Sequence, residues 1–318
     1  MSKAFLKMSN TSASSSSLLL MAVSAAAGAM VYSLMNNNKK NDSNNYSMAD
    51  QVARFAHQKA TSDTRALNIE QHFNGLDLEG KYIVITGTNR GLGLALVKEA
   101  IANGAEVIAA CRKASADLKA TKPYKIIEGV DVTIDDNMKT LVKGLKGVNV
   151  DILINNAGYF MKERESILDG TMDFSEEMKM IDICAVGMLR VTNAIYNAGN
   201  LKQGSKIAMI TSQGGSVGWR DTQCPNGGDY GHHMSKSAAN MAGKLVANEL
   251  KDKGITTIIL HPGFIRTDMT RKYAEIWDIE GAVTSDIACK RVLHEINILT
   301  KENNGKFINC EDGLEIPW

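Results

Sequence analysis

The sequence has little proline and almost no net charge. Four of its 318 residues are proline and 27 are glycine, a composition that points to an α/β chain with glycines at its turns. Lysine and arginine total 36 against 35 aspartates and glutamates, so the net charge is +1. This balance gives no electrostatic reason to expect a nucleic acid as the partner.

Paired cysteines are also missing. The five cysteines lie far apart and form no C-x-x-C pair, which argues against a disulfide scaffold and a zinc ribbon. We therefore expect reduced thiols and no metal site. With 44% hydrophobic and 22% charged residues, the chain as a whole is not disordered, and it is long enough for one large α/β domain or two small ones.

The first 50 residues differ from the rest because they contain no acidic residue ahead of Asp42. A serine-rich stretch, 9–17, and an asparagine-rich stretch, 36–45, enclose Leu18–Met35, an uncharged run of 18 residues. As a helix this run would be about 27 Å long, just enough to cross a thin bilayer. A retained signal anchor, a cleavable presequence and an organelle transit peptide each fit part of the pattern, and so does a disordered tail.

We expect residues 1–50 to anchor the protein in a membrane through residues 18–35 or to target it to an organelle, with a cytoplasmic location as the alternative. Residues 51–77 carry apolar side chains among polar ones. They are interpreted as a lead-in segment that packs on the following domain and has no chemistry of its own.

From Leu78 onward, short apolar runs alternate with segments of helical periodicity. The predicted strands are 81–86, 106–110, 124–130, 151–154, 205–210 and 256–260, and the main predicted helices are 92–103, 135–145, 175–198, 233–252 and 284–300. Such alternation predicts a parallel sheet covered by helices on both faces. We therefore predict a single doubly wound, Rossmann-type α/β domain over residues 78–318.

A glycine-rich turn, TGTNRGLG at 86–93, follows the first predicted strand. Glycines allow a tight turn and let the backbone approach a pyrophosphate, while the next helix offers free N–H groups and a positive dipole end. A glycine triplet alone is weak evidence. Its place between a strand and a helix, with a second strand to follow, predicts a dinucleotide site.

The end of the second strand indicates which dinucleotide is bound. An NAD site places a carboxylate there for the adenosine 2′-hydroxyl, whereas this chain has Arg112 and Lys113, with Arg90 in the glycine turn. Guanidinium groups without a carboxylate suit a 2′-phosphate, which predicts NADP(H) as the cofactor. Asp131 and Val132, after the third strand, are placed to bond the adenine amino group.

The order of four motifs resembles the short-chain dehydrogenase/reductase family. They are TGTNRGLG (86–93), NNAG (155–158), Ser235-Lys236 opening a long helix, and HPGFIRTD (261–268). The sequence GKFINCEDGLEIPW (305–318) is similar to the carbonyl-reductase branch that includes sniffer and C-factor-like proteins. The resemblance covers residues 78–318 and implies NADPH-dependent reduction of a carbonyl compound, or the reverse oxidation of an alcohol.

The resemblance also implies which residues bind the cofactor. They are Gly87, Asn89, Arg90, Gly91, Leu92, Gly93, Arg112, Asp131, Val132, Asn156, Ala157, Gly158, Lys236, Pro262, Gly263, Ile265 and Thr267. The glycine turn would surround the pyrophosphate, the NAG residues would flank a ribose, and 262–267 would hold the nicotinamide amide. Relatives pair two long helices across a two-fold axis, which implies a homodimer.

At the catalytic positions the sequence departs from the family pattern. Ser212 and Lys236 occupy the expected serine and lysine positions, but the residue four before the lysine, a tyrosine in the family, is His232. The nearest tyrosine, Tyr230, is six residues before the lysine, about 120° away around a helix. The family's asparagine is replaced by Cys184, which we interpret as a small hydrophobic residue on an apolar helix face.

Three interpretations of this catalytic set stay open. A protonated His232 donates the proton, and like charges depress its pKa, so that activity fades as the pH rises. Alternatively, Tyr230 swings back to the substrate carbonyl, or the site has no reductase chemistry. The predicted function is an NADPH-dependent reductase of a small or medium carbonyl compound, with a dinucleotide-binding protein without turnover as the alternative. The stretches 219–229 and 268–283 are expected to cover the pocket.

Overall fold

The computed structural model describes residues 46–161, 163 and 165–318, and the predicted membrane or targeting run Leu18–Met35 lies outside them. Across the described ranges, no helix is both long and apolar enough to cross a membrane. Tyr46 to Trp318 form one compact unit.

A seven-stranded parallel sheet forms the centre of this unit. Its strands are β1 Tyr82–Thr86, β2 Glu106–Ala110, β3 Lys125–Ile127, β4 Val150–Asn155, β5 Leu201–Ile210, β6 Thr256–His261 and β7 Phe307–Asn309. They lie in the order β3-β2-β1-β4-β5-β6-β7, and every neighbouring pair is parallel. The predicted doubly wound fold is confirmed. Its strand order reverses between β1 and β4, where such sheets bind ligands.

Helices cover both faces of the sheet. They are α1 Gln51–Ala60, α2 Thr64–Leu67, α3 Gly91–Ala102, α4 Ala116–Ala120, α5 Asp135–Gly144, α6 Phe174–Ile181, α7 Gly187–Asn197, α8 Arg220–Gln223, α9 Tyr230–Leu250 and α10 Ser285–Asn297. Short 3₁₀ segments include Gln213–Gly215 and Asp268–Ile276. Side chains of α3 and α10 belong to the apolar cluster on one face, and those of α5, α7 and α9 belong to the cluster on the other.

Strand β1 shows why the sequences of the strands are continuous apolar runs. Ile83 and Ile85 are fully buried in the cluster with α3 and α10, whereas Val84 is fully buried in the cluster with α5, α7 and α9. Successive side chains of a strand point to opposite faces. A strand that is covered on both faces therefore needs an apolar residue at each position.

Several elements differ from the prediction, and three of them are informative. The predicted helix over 175–198 is interrupted by a π-helical turn at Asp182–Val186. Strand β7 was not predicted, because its three residues are too few for a periodic signal. Strand β3 ends at Ile127, ahead of Gly129, whose φ of +75° takes the chain out of the extended conformation.

The lead-in segment packs on the domain through specific contacts. Asp50 caps α1 by accepting a hydrogen bond from the N–H of Ala53 at 3.0 Å. The Ser47 hydroxyl donates to a carboxylate oxygen of Asp312 at 2.7 Å. The ring of Phe55 fills the space over Gly281, where a Cβ would lie 2.5 Å from it. Residues 46–60 are thereby joined to the C-terminal part of the chain.

Candidate active site

A cleft of about 1840 Å³ lies beyond the carboxyl ends of the strands, at the switch point between β1 and β4. Loops that follow β1, β2, β4, β5 and β6 line it, and so do many residues of 219–229 and 268–283. All the predicted site residues contribute to this lining: Gly87, Asn89, Arg90, Gly91, Leu92, Gly93, Arg112, Asp131, Val132, Asn156, Ala157, Gly158, Ser212, His232, Lys236, Pro262, Gly263, Ile265 and Thr267.

The glycine turn is shaped by close backbone approach. A Cβ at Gly93 would lie only 2.1 Å from the carbonyl oxygen of Gly87, and Gly87 itself has a φ of +71°. The amide of Asn156 donates to this same carbonyl oxygen at 3.2 Å, which ties the turn to the loop after β4. Helix α3 begins at Gly91. Its N-terminus therefore faces the cleft with N–H groups that can bind a pyrophosphate.

Two exposed arginines, Arg90 and Arg112, line the cleft beside the ends of β1 and β2. Asn89 holds the two loops together, because its amide donates to the carbonyl of Lys113 at 2.8 Å and its side-chain oxygen accepts from the N–H of Ser115 at 2.8 Å. The side chain of Asn89 thus contacts protein backbone at both ends. Two guanidinium groups at this edge form a suitable site for a phosphate.

Asp131 contributes a carboxylate next to these arginines. Burial acts to raise the pKa of Asp131, but hydrogen bonds from Thr133 and the nearby Arg112 and Arg190 lower it overall. One carboxylate oxygen accepts from the Thr133 N–H at 3.0 Å and from its hydroxyl at 2.7 Å. The group is therefore ionised at neutral pH and can accept a hydrogen bond from an adenine amino group.

Lys236 lies at the centre of the cleft. It is on α9, is buried, and donates to the carbonyl oxygen of Ile210, the last residue of β5, at 3.5 Å. A Cβ at Gly158 would lie 3.9 Å from its ammonium nitrogen and equally 3.9 Å from the sulfur of Cys184. The fold thus brings together Lys236, the loop after β4 and Cys184, the residue predicted at the asparagine position.

Cys184 lies within the π-helical turn and is fully buried. Its sulfur accepts from the N–H of Tyr159 at 3.4 Å and its thiol donates to the Tyr159 carbonyl at 3.3 Å. The thiol is therefore more than a filler of an apolar face, since it bonds the backbone of the loop after β4. Turns of this π-helical type occur frequently at functional sites.

The side chains of Ser212 and His232 both lie next to Gly214. The Ser212 hydroxyl oxygen accepts from the N–H of Gly214 at 3.0 Å, and a Cβ at Gly214 would lie 3.0 Å from Nε2 of His232. The His232 ring stacks on Phe160 with 4.2 Å between ring centres. Its Nδ1 is buried and has no hydrogen-bond partner among the residues that the structure describes.

The surroundings of His232 keep its imidazole neutral. Burial, followed by the nearby charges of Lys236, His233, Lys272 and Arg220, lowers its pKa well below the ordinary value of 6.5. The direction agrees with the expectation from Lys236, but burial is the larger cause. Tyr230, by contrast, begins α9 and has its hydroxyl beside Gly227, where a Cβ would lie 3.3 Å away.

A second group of side chains completes the wall around His232. The ammonium of Lys272 lies 3.7 Å from the ring centre of Phe160 and 3.1 Å from a carboxylate oxygen of Asp229. The Tyr273 hydroxyl donates to the other oxygen of Asp229. Asp229 has a φ of +48°, a conformation that few residues other than glycine adopt. Sequence reasoning missed this cluster, because its contacts span more than forty positions.

The fold and these motifs define an oxidoreductase class. The sequence model of the family described as short chain dehydrogenase matches residues 81–276. The chain belongs to this family, as its four motifs predict.

Individual relatives agree with the assignment. The chain is 30% identical over 238 residues to the 1-hydroxy-2-glutathionyl-2-methyl-3-butene dehydrogenase of Rhodococcus sp. (strain AD45), an alignment that covers 74% of this chain and 99% of the relative. In structure it is similar to the NADPH-bound carbonyl reductase from chicken fatty liver and to the carbonyl reductase Sniffer of D. melanogaster. Each has a TM-score of 0.63 at 24% identity, and each match covers 76% of this chain and all of the other.

Proposed function

We propose that the protein reduces a small carbonyl compound to an alcohol with NADPH. One observation supports the proposal. Ser212, Lys236 and the glycine-rich turn after β1 all line the same cleft. The glycine-rich turn at 86–93 fits the cofactor, because the chain can turn this tightly only if residue 93 has no Cβ. When bound, NADPH supplies the hydride for the carbonyl carbon.

The side chains of the cleft would orient the substrate and supply the proton. The Ser212 hydroxyl would donate a hydrogen bond to the carbonyl oxygen, and Lys236 would bond a cofactor ribose and favour negative charge on that oxygen. The proton that the oxygen gains must come from a group in reach of Ser212. His232 can provide it only as imidazolium, since the neutral ring would have to become an anion.

A pH profile tests this proposal. Because His232 has a pKa well below 6.5, the imidazolium fraction falls about tenfold for each pH unit above that pKa. Oxidation of NADPH by quinones, aldehydes and ketones should therefore fall steadily between pH 5.5 and 8.5. A rate that rises with pH over this range would rule out His232 as the acid. Tight NADPH binding without turnover at any pH would instead support a dinucleotide-binding protein, an alternative that the neutral His232 favours.

Cofactor choice gives a separate prediction. Arg112→Ala should weaken NADPH binding about 10- to 100-fold, because hydrogen bonds to a charged group contribute about 1.5–3 kcal/mol, and should leave NADH binding nearly unchanged. Fluorescence titration of both dinucleotides measures the two affinities. Equal losses for NADPH and NADH would contradict the assignment of Arg112 to the 2′-phosphate.

The protein is further proposed to be a homodimer. Met241 and Leu245 on α9 are 62% and 57% exposed, and Leu189 on α7 is partly exposed as well. Apolar side chains on two long helices are a suitable surface for a second copy of the chain. Sedimentation equilibrium at micromolar concentration would show twice the mass of the chain, and a monomer would refute the proposal.

A location at a membrane or in an organelle is proposed from Leu18–Met35 alone. Fractionation of cells that produce the full chain tests it. Recovery entirely in the cytosolic fraction would favour the cytoplasmic alternative.

A further inference from the structure

The lead-in helix α1 carries a buried arginine. Arg54 is only 2% exposed, although it precedes the family-matched region 81–276. Its guanidinium also lies 5.7 Å from the ring centre of Trp219. Arginines are rarely buried unless they are paired. The groups that pair with Arg54 therefore indicate why an arginine is buried here.

The charge partner is Glu311, beyond strand β7. The Nε of Arg54 donates to a Glu311 carboxylate oxygen at 3.0 Å, and both side chains are almost entirely buried. Burial acts to raise the pKa of Glu311, but Arg54 and Arg291 lower it to about 2. Arg54 has the larger effect on this pKa, and it is also the group that forms the ion pair with Glu311.

The second partner belongs to the loop that carries the catalytic serine. Nη2 of Arg54 donates to the side-chain oxygen of Gln213 at 2.9 Å, and the Gln213 amide donates back to Gln51 on α1 at 3.2 Å. Gln213 follows Ser212 directly and opens the short 3₁₀ segment that Ser212 caps. Two side chains of helix α1 therefore hydrogen-bond to this loop and hold it in place.

The carboxylate of Glu311 also reaches the loop that follows β6 and lines the cleft. One of its oxygens accepts from the N–H of Phe264 at 3.2 Å, and a Cβ at Gly263 would lie 2.9 Å from its Cγ. This is the segment 262–267, which is assigned to the nicotinamide amide. Through Glu311 and Gln213, the guanidinium of Arg54 thus connects the loops that follow the neighbouring strands β5 and β6, both of which line the cleft.

We infer that Arg54 is a positioning residue that fixes the Ser212 loop relative to the nicotinamide-binding segment 262–267. The inference rests on the proposed reductase function. It depends on the planar fork of arginine, because Nε and Nη2 both contact Glu311 while Nη2 also donates to Gln213, whereas a lysine offers a single nitrogen.

Two substitutions of Arg54 in the full-length chain test the inference. Arg54→Met removes both the charge and the fork, and Arg54→Lys keeps the charge beside Glu311 but loses the fork. The matched control is Arg65→Met. Arg65 lies on the same lead-in segment and pairs with the buried Glu295 on α10. Melting temperature, kcat at pH 5.5 and the NADPH affinity are measured for each variant.

Both Arg54 variants should lose about 10- to 100-fold in kcat, because small misplacements of reacting groups have effects of this size. Arg54→Lys should keep a melting temperature close to that of the wild type, and it carries the test if Arg54→Met does not fold. Arg65→Met should be less stable yet keep kcat within about twofold. Full kcat in Arg54→Lys, or an equal kcat loss in Arg65→Met, would overturn the inference.

A failure of the proposed function is distinguishable from a failure of this inference. If the wild type turns over no carbonyl compound, the reductase proposal fails, and NADPH affinity becomes the readout. Both Arg54 variants should then bind NADPH at least tenfold more weakly than Arg65→Met does. Equal affinities in all three variants would overturn the positioning role as well.

Discussion

Replacing His232 with tyrosine is expected to raise turnover of a carbonyl substrate about 10- to 100-fold at pH 7.5. A phenol, with an ordinary pKa near 10, is protonated throughout the range in which the imidazole of His232 is neutral. It can therefore donate its proton where the histidine cannot. The expected gain lies at the low end of the contribution of a general acid, about 10²–10⁴-fold.

The ring at position 232 stacks on Phe160 and lies against Gly214, where a Cβ would be 3.0 Å from Nε2 of His232. The glycine at 214 is therefore needed for the longer tyrosine ring to be accommodated. The pH optimum should move upward together with the rate, because the imidazolium is no longer needed. Stopped-flow and steady-state oxidation of NADPH between pH 5.5 and 8.5 measure both quantities.

His233→Tyr is the matched control. It makes the same chemical change one position along α9, where the ring contacts the Gly214 carbonyl and Arg220. This control should not gain activity. Unchanged rate and pH optimum in His232→Tyr, with an active wild type, would show that residue 232 is not at the acid position.

Gly93→Ala is expected to weaken NADPH binding at least about 100-fold, a loss of about 2.7 kcal/mol. Its Cβ would lie 2.1 Å from the Gly87 carbonyl oxygen and 2.6 Å from the Asn156 amide nitrogen. Backbone atoms cannot yield as a flexible side chain can, so the turn must open. The N-terminus of α3 would then move away from the pyrophosphate. Fluorescence titration with NADPH measures the loss.

The control for this variant is Gly243→Ala on α9. There a Cβ would lie 2.6 Å from the side chain of Ile259, inside the core. This variant should unfold at a lower temperature but bind NADPH with nearly the wild-type affinity. If NADPH affinity falls by the same factor in both variants, the effect of Gly93→Ala reflects general destabilisation and not the shape of the glycine-rich turn.

The sheet and the glycine-rich turn could be predicted from the sequence because their signals are local. Residues 86–93 form the turn within a single stretch of chain, and β1, β2, β4, β6 and the second half of β5 are largely apolar, buried runs. The positions of His232 and Lys236 follow from helical spacing in the same way. Signals of this kind do not depend on how distant segments pack.

The contacts that complete the site could not be predicted, because they join residues far apart in the sequence. Arg54 meets Gln213 across 159 positions and Glu311 across 257. The segment 51–77 was expected to have no chemistry of its own, and no pattern within it distinguishes Arg54 from a surface arginine. The φ of +48° at Asp229 and the stacking of Phe160 on His232 likewise have no local sequence signal.

The hydrogen bonds that hold the Ser212 loop affect the order in which parts of the chain can fold during synthesis. Besides Arg54, the loop is held by the Pro317 carbonyl, which accepts from the Ser216 hydroxyl, and by the Trp318 carbonyl, which accepts from the Gly218 N–H. Contacts of such sequence separation form late in folding. A nascent chain can build strands β1 to β6 and the glycine turn early, but it cannot fix the Ser212 loop until residues 311–318 have left the ribosome.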